Sequence, residues 1–322
     1  MITRSDIAAH LERNIRTGFL LGRKDYTPLR SGFMGVRPSD GAFEDYADMG
    51  TVPWPVQNSG KQGAGGTHGE TGAEKVGQAG AGGAITVIGA PEQAMRVYNV
   101  NWQVALGIEH DAIDDDRAGD LESWARSART QFERHMDFLA FDMLNAGEGT
   151  TYGRGYDHLS FFNDSHFDPG AEYQTAQDNK FALTLSLDNF QTVKVAASKF
   201  RDDRGQPLGL NHNVLVVPPD LEYIGMQITK NPEAFDTANR ERNPYSGSVG
   251  LLVAPGGWLD STAWFLLDPS LPQKPMYMQE RQAPELVIWD DESQGSGVRY
   301  FKWEARYIGF YGDWRTAAIG NT

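Results

Sequence analysis

Two clusters in the sequence carry the residue types that metal binding and acid–base chemistry require. His110 stands beside Asp111, Asp114, Asp115 and Asp116, an oxygen-rich run of the sort that can bind a divalent cation. Asp157, His158, Asp164 and His166 form the second, where histidines and carboxylates could hold a metal or exchange a proton. Neither has convincing spacing. The first lacks the ligand positions of a calcium-binding loop and serves equally well as the cap and acidic first turn of a helix. The second lies in a turn-rich stretch whose Phe161 and Phe162 are expected to pack inward. The glycine-rich stretch from 60 to 83 contains no G-x-G-x-x-G, and Gly60-Lys61 is followed by Gln62, not by the Ser or Thr of a phosphate-binding loop. No H-E-x-x-H or G-x-S-x-G occurs either. The sequence therefore predicts no catalytic residue, no cofactor and no metal site.

Composition narrows the classes further. The chain has 322 residues, 40% hydrophobic and 22% charged, enough to bury a sizeable core in one elaborate domain or two modest ones. It has no cysteine, which removes disulfides and thiolate metal sites. Its net charge of −14 repels phosphate backbones and anionic lipids, which argues against tight nucleic-acid or membrane binding. Such a charge serves plain solubility and equally suits a container whose wall must not stick to the DNA it holds; charge alone does not separate the two. No apolar run approaches the ~20 residues of a membrane span, and no secretory leader is read at the start. The expected setting is a cell interior.

Periodicity supplies the elements that would position these groups. Ile7, Leu11, Ile15 and Phe19 recur every fourth residue and predict a short helix from Ser5 to about Leu20. Pro28, Pro38, Pro53 and Pro55 then punctuate an extended arm and loop. Ten of the 24 residues from 60 to 83 are glycine, a composition for mobility and not for a core. The apolar run 84–88 and the strict alternation of Tyr98, Val100, Trp102, Val104, Leu106 and Ile108 with smaller or polar residues predict two strands around that tip, the second with one buried face. The strongest helix is expected over 121–146, with Leu121, Trp124, Ala128, Phe132, Leu139 and Met143 on its apolar stripe and Gly147 as its stop. Further helices are predicted from Asp188 and from Pro218-Pro219-Asp220. Strands are predicted at 213–217, 249–254, 264–267, 276–279, 286–289 and 298–310. The pattern is α+β without a βαβ rhythm.

The C-terminal third resembles a known family. Trp264-Phe265-Leu266-Leu267-Asp268, Lys274-Pro275, Gln279-Glu280-Arg281 and Pro284-Glu285-Leu286-Val287 are similar, in order and spacing, to the major head subunits of Mu-like phages and prophages. The ending from Phe301 to Trp314, with Gly309, Gly312 and Arg315, resembles theirs too. So do the step Asn213–Pro218 followed by Leu221-Glu222 and the stretch Tyr156-Asp157, Phe161-Phe162, His166. His158 departs from the family's glycine, and the glycine-rich tip looks like an expansion particular to this chain.

That resemblance implies an HK97-like capsid fold with an N-terminal arm (1–43) and an extended loop (44–95). A peripheral domain (96–187) with its spine helix would follow, then an axial domain (188–262) and return strands (263–322). It implies a non-enzymatic major capsid protein, a homo-oligomer of pentamers and hexamers in an icosahedral shell around double-stranded DNA. Scaffold, portal and decoration or head-completion proteins would be its partners, with assembly in the bacterial host cytoplasm. Trp54, Trp258 and Trp314 are candidate inter-subunit anchors, although tryptophan is more often core. Lys61 and Lys75 are the loop lysines available for the cross-linking known in that fold, although lysine is usually a solvated charge. The alternatives are an encapsulin-like compartment shell and a metal-dependent hydrolase using His158 and His166.

Overall fold

The computed structural model describes residues 4–48, 93–109, 118–167, 173, 175–233, 242–290 and 298–321. Its elements in chain order are α1 (Arg4–Gly22), β1 (Met34–Pro38), β2 (Phe43–Asp48), β3 (Gln93–Tyr98), β4 (Asn101–Glu109), α2 (Ala118–Asn145) and β5 (Lys180–Phe181). They continue with α3 (Leu187–Ala197), β6 (Val214–Val217), α4 (Glu222–Thr229), β7 (Gly250–Val253), β8 (Trp264–Leu267), β9 (Met276–Asp290), β10 (Val298–Tyr311) and β11 (Ala317–Gly320).

The spine is α2, 28 residues and roughly 40 Å long at ~1.5 Å per residue. Ala125, Phe132, Met136, Leu139, Ala140 and Met143 of its apolar stripe are buried, as their spacing predicts. Trp124 is the exception: it is 54% exposed and lines an open groove beside Trp102 and Val104 of β4. Along the other side lies α1, with Ile15 and Phe19 buried. The two backbones approach so closely that a Cβ on Gly18 would stand 2.7 Å from the Glu122 carbonyl oxygen, and one on Gly22 would overlap that of Arg126.

The strands form three sheets, of which the first packs on the spine helix through β9 and β10. The first has the order β1-β9-β10-β4, the second β5-β11-β8-β6-β7, and β2 pairs with β3 as a separate antiparallel ribbon. The long hairpin β9–β10 dominates the first, and β10 sends Phe301, Trp303, Ala305 and Tyr307 into the core. In the second sheet β8 is buried throughout, which explains its unbroken run Trp-Phe-Leu-Leu. Ser186 caps α3 by accepting from Asn189 N, so this helix begins one residue before the expected Asp188. After Pro218 a 3-10 turn, Pro219–Leu221, precedes α4.

Several expectations are corrected. Residues 34–38 of the expected arm and 43–48 at the start of the expected extended loop form paired strands, and β1 pairs in parallel with the distant β9. The alternating run splits at Asn99-Val100 into β3 and β4, which enter different sheets, and β3 takes 43–48 as its partner. The strand expected at 84–88 and the glycine-rich tip lie outside the described residues. In the second sheet β8 and β11 join β6 and β7, so that sheet takes strands from both sides of residue 262.

Candidate functional surfaces

The cluster that most resembled an active site is an internal brace. His166 is fully buried; its Nδ1 meets Asp157 Oδ2, its Nε2 lies 3.1 Å from Asn179 Oδ1, and its ring stacks on Trp314 at 4.1 Å and 6°. The side-chain nitrogen of Asn179 lies 3.0, 3.2 and 3.2 Å from the carbonyl oxygens of Phe161, Trp314 and Ala317, which fixes the amide orientation. Asn179 Oδ1 is therefore an acceptor, and His166 Nε2 must donate to it. With both ring nitrogens engaged and no solvent access, His166 has no free atom to bind a metal or move a proton to a substrate. His158 does not join it. That residue sits in a turn at φ 63° with an exposed side chain, and Asp164 points to solvent beside Ser165. Among the described residues no group of histidines and carboxylates is arranged to hold a metal. His110 and Asp111, Asp114, Asp115 and Asp116 lie outside the described residues.

A second buried polar system locks the arm to the spine. The guanidinium of Arg30 donates to Asp137 Oδ1 and Glu133 Oε2, both at 2.8 Å, and Arg129 donates to Glu133 Oε1 at 2.7 Å. Asp137 Oδ2 also accepts from Tyr26 Oη at 2.8 Å and Leu29 N at 2.7 Å. Burial works against the charge on Arg30, and its bonds to Glu133 and Asp137 outweigh it, so its pKa rises. Sequence reasoning missed this site. Arg129, Glu133 and Asp137 do repeat every fourth residue along α2, a visible signal, but their partner Arg30 is about a hundred residues away.

A third feature responds to acid. His212 is 1% exposed; its Nε2 donates to the Arg315 carbonyl at 3.1 Å and its Nδ1 has no partner among the described residues. Burial pushes its pKa down to about 4, against the opposing pull of Asp268, the Arg315 carbonyl and Asp313, and with help from Lys194. The unfolded chain therefore takes up a proton between pH ~6.5 and 4 that the folded chain refuses. Stability is full above pH ~6.5 and falls through that window, by on the order of 3 kcal/mol in total. His212→Gln keeps a donor for the Arg315 carbonyl and cannot titrate. Its urea midpoint is expected to vary much less between pH 6.5 and 4 than that of the parent; an equal variation would show that His212 is not the group responsible.

An open apolar groove of about 390 Å³ lies between β4 and the first half of α2, lined by Trp102, Val104, Trp124, Phe132, His135 and Trp303 among others. Val104 is 47% exposed although its alternation predicts a buried face. Of the candidate anchors, Trp314 is buried inside the subunit against His166 and Phe200 and is unavailable to a neighbour. Trp258 is half-buried, 5.8 Å from Phe138 and from Phe141. Trp54, Lys61 and Lys75 lie outside the described residues.

The spine helix with its paired α1, the sheet dominated by one long hairpin and the separate second sheet make up the fold of HK97-type phage capsids. A chain from the procapsid of bacteriophage JBD30 is similar at 17% identity and TM-score 0.51, covering 98% of this chain and 75% of that one. A chain from the JBD30 capsid decorated with minor capsid protein trimers matches at 18% and 0.52, over 73% and 92%. One from Microbacterium phage Oxtober96 matches at 12% and 0.52, over 89% of each chain. No curated protein sequence matches. The chain belongs to the phage capsid protein family, whose model matches residues 98–319. It is a structural protein of the virion, a major capsid protein whose copies assemble into the head shell, and not an enzyme.

Proposed function

We propose that this chain is a major head subunit of the Mu-like type, assembling into pentamers and hexamers that close an icosahedral head around double-stranded DNA. The observation that carries the reading is the match over 98–319, which spans the spine helix and all of the two large sheets except β1 and the last residue of β11. The arm would be 1–43, the extended loop 44–95 and the peripheral domain 96–187. Residues 188–262 would form the axial domain around which rings close, with 263–322 returning to the periphery. Heterologous contacts repeated around an axis close into rings when the rotation permits. Scaffold, portal and decoration or head-completion proteins would act with it, in the host cytoplasm. Electron microscopy of the purified protein in negative stain, with light scattering on the same sample, tests this. Closed shells or five- and six-fold rings are expected; a persistent 35.6 kDa monomer at high concentration and added salt would overturn it.

A further inference from the structure

The groove beside β4 borders an open strand edge, and the two features belong together. Among the described residues β4 is the outermost strand of its sheet and pairs only with β10. Tyr307 N donates to Val100 O at 3.1 Å, so in the antiparallel register the even-numbered residues of β4 face β10 through their backbone groups. The N–H and C=O groups of Gln103, Ala105 and Gly107 consequently point away from the sheet.

Among the described residues nothing protects this edge. Over nine residues it has no proline, no lysine and no register shift, and its one charge, Glu109, stands at the end. Soluble proteins normally guard an edge with those devices. The opposite edge strand, β1, has Arg37 and ends in Pro38.

Side chains tell the same story. Val100, Trp102, Val104, Leu106 and Ile108 form an alternating apolar face, a pattern suited to burial, yet Val104 is 47% and Val100 36% exposed. Across the groove Trp124 is 54% exposed. No lining residue is an acid, a lysine or an arginine, and burial lowers the pKa of His135, keeping that imidazole neutral. In a chain of net charge −14, an uncharged strip is where two copies can meet without like-charge repulsion. The same lack of cations gives a nucleic acid no foothold.

We propose that β4 is a strand-addition site for a second copy of this chain. An extended segment of the neighbour pairs with the outward groups of Gln103, Ala105 and Gly107 and lays alternate apolar side chains into the groove under Trp102, Val104 and Trp124. The proposal rests on the shell reading above.

Hydrogen exchange read by mass spectrometry, on free subunits and on shells separated by sedimentation, tests it. The outward amides of 103, 105 and 107 are expected to exchange on the order of a hundredfold more slowly in the shell. Ala105→Pro supplies a second readout. It removes one outward donor and no bond among the described residues, at a position where an edge strand tolerates proline. Its subunit is expected to give the parent's circular dichroism, while shell yield falls at least several-fold. Shells whose outward amides exchange as in the free subunit would overturn strand addition and leave the shell reading intact, as would normal assembly of A105P. A parent chain that never assembles overturns both.

Discussion

Asp137→Ala is expected to lower the unfolding free energy by about 3–5 kcal/mol, because it strands a buried guanidinium. The Asp137 side chain has no solvent exposure, and one of its oxygens takes both Tyr26 Oη and Leu29 N. The other takes the Arg30 guanidinium. Removing the carboxylate leaves Arg30 with Glu133 alone, and Arg129 already claims part of that charge. The half-buried Tyr26 hydroxyl and two backbone N–H groups lose their acceptor at the same time. The injury is directional, since these groups tie residues 26–30 of the arm to the middle of α2. The urea midpoint should fall, and trypsin should cut at Arg23 or Lys24 much faster than in the parent. Asp137→Asn, with nearly the same volume but one acceptor oxygen and no charge, is expected to recover only part of the loss. Full recovery by Asn would mean that packing, not the ion pair, holds the arm.

The same network marks the limit of what could be read from the sequence. The spine helix was legible because its apolar period persists for 28 residues, and its observed ends, Ala118 and Asn145, lie within three residues of the expectation. The strand Trp264–Leu267 appears where its unbroken apolar run put it. Residues 34–38 and 43–48 read only as extended arm and loop because Gly35, Pro38 and Gly41 interrupt any pattern there. What makes β1 a strand is a parallel neighbour some 240 residues away, and no local signal encodes that pairing. Pro284 made β9 look like two strands. It runs as one, with the register irregularity at Glu304/Arg306 opposite the proline accommodating its missing N–H. Trp124 and Val104 were assigned to the core on period alone. A period reports that a face is destined for burial, and it does not say whether the cover comes from the same copy.

That distinction also explains the histidine cluster. Buried polar groups and catalytic groups draw on the same residue types, and only the bonding separates them. In a shell subunit built for mechanical integrity, His166 and Asn179 knit the loop 157–166 to the C-terminal strand β11, since Ile319 N donates to Asn179 O at 2.9 Å and Asn179 Nδ2 reaches the Ala317 carbonyl. Function of this kind predicts sensitivity of stability, not of turnover, to each substitution in the cluster.

Asn179→Asp carries that argument to a measurable end. The substitution changes one side-chain nitrogen to oxygen and leaves the volume nearly untouched. The lost NH₂ group faces the carbonyls of Phe161, Trp314 and Ala317, so the new oxygen sets its lone pairs against theirs in a site without water. Each buried carbonyl left without a donor costs ~1–3 kcal/mol, and a carboxylate forced among them costs more. The gain of a negative charge near His166 Nε2 offsets part of this, but Asp157 already engages the other side of that ring. The expected loss is about 4 kcal/mol, a fall in the melting temperature of about 6 °C for a chain of this size. Asn179→Ala, which leaves the carbonyls unpaired but adds no repulsion, should cost less despite opening a cavity. A cavity-dominated site would reverse that order, with alanine the worse substitution. Measuring the two melting temperatures side by side therefore decides whether donor chemistry or packing holds β11 to the loop, and the geometry of Asn179 requires the donor.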